Sequence, residues 1–102
     1  MQNIKAKPGE QYLAMVWARS ETPSGRYHGQ LGIRFRDPKG GWHARRDLEP
    51  QVHMAQQTGW QPLMLLITIP EGAAQFSFMP GAGALEEGET VFFDDASVYR
   101  VR

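Results

Sequence analysis

Hydrophobic and polar positions alternate with a period of two through most of this chain, and a helical period is nearly absent. The first clear segment places Tyr12, Ala14, Val16 and Ala18 on one face and Leu13, Met15, Trp17 and Arg19 on the other. A second segment, residues 27–36, places Leu31, Ile33 and Phe35 on one face and Gln30, Gly32, Arg34 and Arg36 on the other. Because successive side chains of a strand point to opposite faces, each segment predicts a half-buried strand.

Glycine and proline turns separate these segments from the rest of the chain. Asp37-Pro38-Lys39-Gly40-Gly41 predicts a hairpin into residues 42–45. Further strands are predicted at residues 51–55, 60–69, 73–79 and 91–101, with Phe76 and Phe78 facing the core. Five or six short strands separated by turns indicate one antiparallel β-sandwich domain spanning residues 1–102.

Two adjacent acids, Asp94 and Asp95, interrupt the apolar run of the last predicted strand. Carboxylates are depleted from strands and are costly to bury without a partner. Alternation allows at most one of the two to face the core. We expect that acid to meet a cation, backbone N–H groups, or an arginine such as Arg100.

The formal net charge is zero, but the charges are unevenly distributed along the chain. Seven basic residues and two acids lie in residues 19–46, whereas residues 47–99 contain eight acids and no lysine or arginine. This pattern fits either a solvated surface whose halves neutralise each other or a basic face for an anionic ligand. A nucleic-acid-binding domain is usually basic overall, so nucleic acid is not the expected partner.

Composition and motifs exclude several classes of function. There is no cysteine, so disulfides and thiolate metal sites are excluded, and no apolar stretch is long enough to span a bilayer. The three histidines share no zinc-ligand spacing. The motifs of serine hydrolases, zinc proteases and phosphate-binding loops are also missing, so we do not expect an enzyme.

Several landmarks in order along the chain resemble jelly-roll carbohydrate-binding modules of the family four, nine and twenty-two type. The landmarks are Gln2-x-Ile4, Pro8-Gly9, Trp17-Ala18-Arg19, residues 31–37, Thr58-Gly59-Trp60, residues 69–73 and residues 93–99. The resemblance implies the galactose-binding-like β-sandwich and covers nearly the whole chain. It also implies that Trp60 packs in the core. It also implies an extracellular or periplasmic location, as part of a larger polysaccharide-processing protein.

In this family, one acid of the pair equivalent to Asp94 and Asp95 helps to hold a structural calcium ion. The resemblance therefore implies calcium at this pair, together with ligands from an N-terminal strand that precedes the segment beginning this chain. A sandwich without its first strands has an unpaired edge. We expect such an edge to pair with a second copy of the chain or with a neighbouring domain.

The resemblance also implies a glycan groove on one sheet, where aromatic rings stack on sugars and polar side chains bind hydroxyl groups. Trp17 is the aromatic residue expected there, although it can equally pack under a loop. The polar side chains expected beside it are Gln30, Arg34 and Arg36, with Tyr27, Trp42 and His43 at the ends of their strand. Arginines among aromatic residues suit an acidic sugar, because the guanidinium fork matches a carboxylate or sulfate.

Two functions follow from these expectations. The first is a non-catalytic carbohydrate-binding module that recognises a polysaccharide, with an acidic polysaccharide favoured by the arginines. The alternative is a structural β-sandwich that mediates interaction or dimerisation and has no glycan ligand.

Overall fold

Seven strands and one short 3₁₀ helix form the regular structure of the described residues, which are residues 2–20, 29–55, 57, 59–82 and 90–102 of a computed structural model. The strands are β1 Gln2–Lys5, β2 Gln11–Ser20, β3 Gly29–Arg36, β4 Gln51–His53, β5 Trp60–Thr68, β6 Gln75–Ala82 and β7 Val91–Arg100, and the 3₁₀ helix is Arg46–Leu48. The predicted all-β fold is confirmed. Strand β1 was not predicted, because its four residues are too few to show alternation.

The strands form two antiparallel sheets. The four-stranded sheet has the order β1-β6-β3-β4, and the three-stranded sheet has the order β5-β2-β7. Their inner faces pack together, which confirms the predicted antiparallel sandwich. Within the described ranges, no helix has the length and apolarity needed to cross a membrane.

Alternation along the strands builds the core between the two sheets. The inward residues of β2 and β3 are those that the period-two pattern assigned to one face, including the fully buried Ala14, Leu31 and Phe35. Phe76 and Phe78 of β6 are buried as predicted, and the Phe76 ring lies 5.0 Å from the Tyr12 ring. Burial of these aliphatic and aromatic side chains is the main source of the sandwich's stability.

Two local predictions are wrong. Trp60, which was expected in the core, is 44% exposed because it begins β5 on the outer face, where the Arg19 guanidinium lies 5.9 Å from its ring. The hairpin after β3 makes one bridge, between Arg36 and Trp42, and then leaves the sheet. Its turn forms as expected, since the Asp37 carboxylate accepts the N–H groups of Lys39 and Gly41.

The acidic pair lies in a β-bulge, where side chains no longer alternate strictly between the two faces of the sheet. The register between β2 and β7 shifts between Met15 and Trp17, and Asp95 takes the left-handed conformation with φ of 52°. Both acids are exposed, so the prediction that one of them faces the core is wrong. The Asp95 N–H donates to the Asp94 carboxylate at 2.9 Å, while Arg100 pairs with Glu10 rather than with either acid.

The left-handed conformation of Asp95 in the bulge predicts how substitutions there change the stability of the chain. Replacing Asp95 with valine is expected to cost about 1–2 kcal/mol, because a β-branched residue is strained in the left-handed region, whereas glycine is expected to be neutral or mildly stabilising. Urea unfolding of both variants measures this difference. Equal stability of the valine and glycine variants would show that the positive φ does not constrain this position.

Candidate functional site

The predicted ligand face is divided between two opposite surfaces. Strand β2 belongs to the three-stranded sheet and β3 to the four-stranded sheet, so Trp17 and the arginines of β3 point outward on opposite sides of the sandwich. The expectation that they lie on adjoining strands is wrong. Two consecutive strands can be neighbours in one sheet or belong to two sheets that pack across the core. The alternation of hydrophobic and polar residues is the same in both cases, so it does not distinguish them.

On the outer face of the four-stranded sheet, two arginines pack against one tryptophan. The guanidinium carbon of Arg34 lies 3.8 Å from the centroid of the Trp42 ring, and that of Arg36 lies 4.0 Å away. Arg36 also donates from Nη1 to the Gly40 carbonyl at 2.8 Å. Cation–π contact restrains long side chains that would otherwise lose rotamer freedom on binding a ligand.

A mostly buried carboxylate supports this cluster from beneath. Glu49, whose side chain is 8% exposed, lies 3.5 Å from Arg34 Nε and 3.5 Å from Arg46 Nε. Glu49 also accepts the Phe35 N–H at 2.9 Å. Glu49 lies just before β4 begins, and its side chain supplies the acceptor that no strand provides for this part of β3.

Beside this cluster is a cleft of about 220 Å³. Its lining residues are Gly32, Ile33, Arg34, Arg46, Glu49, Pro50, Gln51 and Met79. Gly32 forms an open part of the lining, because a Cβ placed there would meet only the Met79 carbonyl oxygen, at 3.9 Å. Opposite the predicted Gln30, Gly81 likewise has open space above it. These two glycines leave a trough along the middle of the face.

Amide side chains flank this trough. Gln30 is partly exposed on the outer face of β3, and Gln51 is exposed on β4. Gln75, which is opposite Arg36 on β6, lies farther along the same face. Ser77, by contrast, is buried and donates to the Asn3 side chain at 2.6 Å. The surface therefore combines guanidinium and amide groups with one aromatic ring, the combination that binds sugar hydroxyls and carboxylates.

His43 and Tyr27 complete the list of predicted ligand residues. The Nδ1 atom of His43 accepts the Arg45 N–H at 3.1 Å, so Nε2 carries the proton and donates to the Glu71 carbonyl at 2.9 Å. Both ring nitrogens of His43 are thus occupied in holding loops together. Tyr27 lies outside the described residues. The structure brings together Gln30, Arg34, Arg36 and Trp42 and separates Trp17 from them.

Not every basic residue of the positive segment is available to a ligand. Arg45 forms a bidentate pair with Asp47, with contacts of 2.8 and 2.7 Å. Hydrogen bonds from the Arg45 guanidinium hold the pKa of the Asp47 carboxyl below its usual value. The positive charge of the cleft therefore comes from Arg34 and Arg46, opposed by Glu49, and Arg36 adds its charge beside the cleft, against the Trp42 ring.

The acidic pair lies beside two tryptophans on the outer side of the three-stranded sheet. Asp94 and Asp95 line a cleft of about 200 Å³ together with Trp17 and Trp60. Calcium takes six to eight oxygen ligands. Among the described residues, however, no group of three or more acidic, histidine or cysteine side chains could hold a metal ion. Calcium also binds backbone carbonyls and water, so calcium at Asp94 and Asp95 stays a prediction.

A larger cavity, of about 510 Å³, lies at one end of the sandwich, and Glu10 binds several of its polar groups. Glu10 accepts the Lys7 N–H at 2.8 Å and the Tyr12 hydroxyl at 3.0 Å, and it pairs with Arg100 at 2.9 Å. The backbone N–H of Lys7 contributes most to lowering the pKa of Glu10. This cluster closes the end of the core, where burial raises the pKa of Tyr12.

Sequence reasoning missed the residues that shape the cleft, chiefly Gly32, Glu49 and Gln51. Gly32 could have been found, because the alternation already places it between Gln30 and Arg34 on the outer face. Glu49 carried no such signal. It lies in an irregular segment between the 3₁₀ helix and β4, and its contacts with β3 depend on the folded path of that segment.

Comparisons with known proteins show the fold. Neither a protein-family model nor a curated protein matches this chain. Among solved structures, the enzymatically active domain of tailspike protein 4 from bacteriophage CBA120 is similar over 98% of this chain, with a TM-score of 0.73 and 17% identity. A structure titled as CBM4, a carbohydrate-binding module of family four, is also similar over 98% of this chain, with a TM-score of 0.55 and 21% identity.

These likenesses show that the chain has a β-sandwich fold of the kind found in a carbohydrate-binding module. The chain spans 13% of the tailspike chain and 59% of the CBM4 chain. One neighbour is described as enzymatically active and the other as CBM4. The shared fold does not by itself assign either activity, because function depends on the site that a fold presents.

Proposed function

We propose that this chain is a non-catalytic carbohydrate-binding module that binds an acidic polysaccharide on the outer face of its four-stranded sheet. The observation that carries the proposal is the stacking of Arg34 and Arg36 against Trp42 beside an open trough floored by Gly32. Its fold is also that of a CBM4 structure, which supports a glycan as the ligand. We further propose that it acts within a larger extracellular or periplasmic protein.

The chemistry of the face favours an acidic sugar over a neutral one. Arg34 and Arg46 in the cleft, with Arg36 beside it, outnumber Glu49, so this face attracts a carboxylate or sulfate. Guanidinium groups bind such anions through two parallel hydrogen bonds. The amides of Gln30, Gln51 and Gln75 then remain for neutral hydroxyl groups along the polysaccharide.

Binding rather than catalysis is proposed because the cleft has one carboxylate among its described lining residues. Glycoside hydrolysis generally requires a pair of carboxylates that flank the scissile bond. Glu49 is engaged by Arg34, Arg46 and the Phe35 N–H, so it is held as a structural anion. A binding module needs only the positioned donors and the trough.

Affinity gel electrophoresis tests the proposal with gels that contain polygalacturonate, alginate, dextran sulfate or a neutral xylan. We expect retardation by a carboxylated polysaccharide, weakened by salt as for exposed charges. Replacing Arg36 with glutamine is expected to reduce the affinity roughly tenfold, since a charged hydrogen bond contributes about 1.5–3 kcal/mol.

The matched control is Lys7→Gln, which removes one positive charge from an exposed position outside the cleft. It is expected to bind as the wild type does. If no polysaccharide in the panel retards the wild-type chain, or if both variants weaken binding equally, the proposed face is wrong.

A further inference from the structure

The outer face of the three-stranded sheet is apolar over most of its length. Register across β5, β2 and β7 arranges its outward side chains in rows. The rows are Leu66, Leu13 and Tyr99; then Met64, Met15 and Ser97; then Pro62, Trp17 and Asp94; and finally Trp60, Arg19 and Phe92. Met64, Leu66 and Tyr99 are 50%, 58% and 61% exposed. Soluble monomers rarely leave so continuous an apolar surface open to water.

We infer that this face, the apolar face, is the interface of a homodimer in which two copies pack sheet against sheet. This inference goes beyond the proposed glycan binding, which uses the opposite side of the sandwich. It makes the same kind of contact that already forms the core, where two sheet faces interdigitate.

The size of the face suits a small dimer interface. The four rows and the flanking Gln11 and Thr68 form a surface about 27 Å long and about 14 Å wide. The length follows from the rise per residue along a strand, and the width follows from the distance between neighbouring strands. Side chains that protrude from the sheet make its accessible area larger than this flat rectangle, roughly 500–600 Å² per partner. An area of this size is at the low end for specific interfaces. We therefore expect a weak dimer whose population depends on concentration.

Both edges of this sheet oppose the alternative, association by adding strands. Strand β5 is an edge strand that contains Pro62, which has no N–H to donate. Strand β7 is the other edge, and its bulge places Asp94 and Asp95 there. Bulges, prolines and charges are the features with which sheets prevent edge pairing. Pairing through either edge of this three-stranded sheet is thus disfavoured, and its face remains.

The polar groups on the apolar face are distributed so that a second copy of the chain can pack against it. The charged side chains Arg19 and Asp94 lie toward one end, and the neutral Gln11 and Thr68 lie at the other. A twofold axis across the strands at Met15 places each charged end over a neutral end. In that arrangement, the Tyr99 phenol of one copy faces the Asp94 carboxylate of the other. An isologous interface needs such self-complementarity.

Sedimentation velocity over a range of chain concentrations tests the dimer. The wild type is expected to change from monomer to dimer between about 1 μM and 1 mM, the range of small interfaces. Leu66→Glu is expected to stay monomeric, because dimerisation would bury an unpaired charge. Leu48→Glu is the matched control, since Leu48 is 43% exposed in the 3₁₀ helix, away from the apolar face, and it is expected to dimerise normally.

Hydroxyl-radical labelling of the wild type provides a second measurement that does not depend on variant folding. Labelling of Met64, Leu66 and Tyr99 is expected to fall as the concentration rises, whereas labelling of Leu48 and Trp42 stays constant. A wild type that remains monomeric at every concentration overturns the inference, as does a dimer that Leu66→Glu leaves intact. Glycan retention can be measured on a monomeric chain as well as on a dimer. Failure of the dimer proposal can therefore be told apart from failure of the proposed glycan binding.

Discussion

Replacing Gly32 with valine is expected to abolish polysaccharide retention without destabilising the sandwich. A Cβ at this position meets only the Met79 carbonyl oxygen, at 3.9 Å, and Gly32 is not among the glycines with positive φ. Valine therefore fits the strand, and the unfolding free energy is expected to stay constant or to rise by up to about 1 kcal/mol. Its side chain fills the trough in which the sugar is proposed to lie.

The matched control for this prediction is Ala55→Val, which places the same side chain on an exposed position after β4, outside both the cleft and the apolar face. Affinity electrophoresis and urea unfolding measure both variants. We expect at least a tenfold loss of affinity for Gly32→Val and no loss for Ala55→Val. Retention of Gly32→Val at the wild-type level would show that the trough is not the binding surface.

Replacing Glu49 with alanine is expected to destabilise the chain by about 2 kcal/mol, because it leaves the Phe35 N–H without an acceptor and Arg34 and Arg46 without their anion. Glutamine is expected to recover about half of this loss, since its amide oxygen can still accept the N–H. The midpoint of urea unfolding measures the difference, with an unchanged denaturant slope.

The control for this second prediction is Glu71→Ala, at an exposed acid whose backbone carbonyl, rather than its carboxylate, holds His43. Exposed substitutions of this kind usually change stability by less than about 0.5 kcal/mol. If Glu49→Ala is no less stable than Glu71→Ala, Glu49 is not the support of the arginine cluster.

Period-two alternation predicted most of the fold, because it follows directly from strand geometry. It placed Leu31, Ile33 and Phe35 inside and Arg34 and Arg36 outside, as the structure confirms. It could not assign strands to sheets, since pairing depends on the path of the whole chain. For that reason Trp17 was grouped with the arginines, although the two sheets carry them to opposite sides of the sandwich.

The acidic pair shows a second limit of local pattern. Alternation assigns Asp94 and Asp95 to opposite faces, but the bulge adds a residue to β7 and leaves both acids in water. A bulge is a property of two strands in register, and β7 alone does not reveal it. Charges and bulges on an edge strand such as β7 are features that disfavour strand addition.

If both proposals hold, the two faces of the sandwich act together. Dimerisation through the apolar face turns the two four-stranded faces outward, on opposite sides of the assembly. A polysaccharide with repeated acidic units, or two such chains, can then engage both copies. Linked sites bind more tightly than single ones because the second contact is intramolecular.

The most direct test of glycan binding uses the three tryptophans, whose indole N–H groups give separate NMR signals. Trp42 lies on the four-stranded face, and Trp17 and Trp60 line a cleft on the three-stranded sheet. Titration of ¹⁵N-labelled chain with an acidic oligosaccharide is expected to shift the Trp42 signal and the backbone signals of Gly32 and Arg34. Shifts confined to the signals of Trp17 and Trp60 would place the ligand on the other sheet and contradict the account.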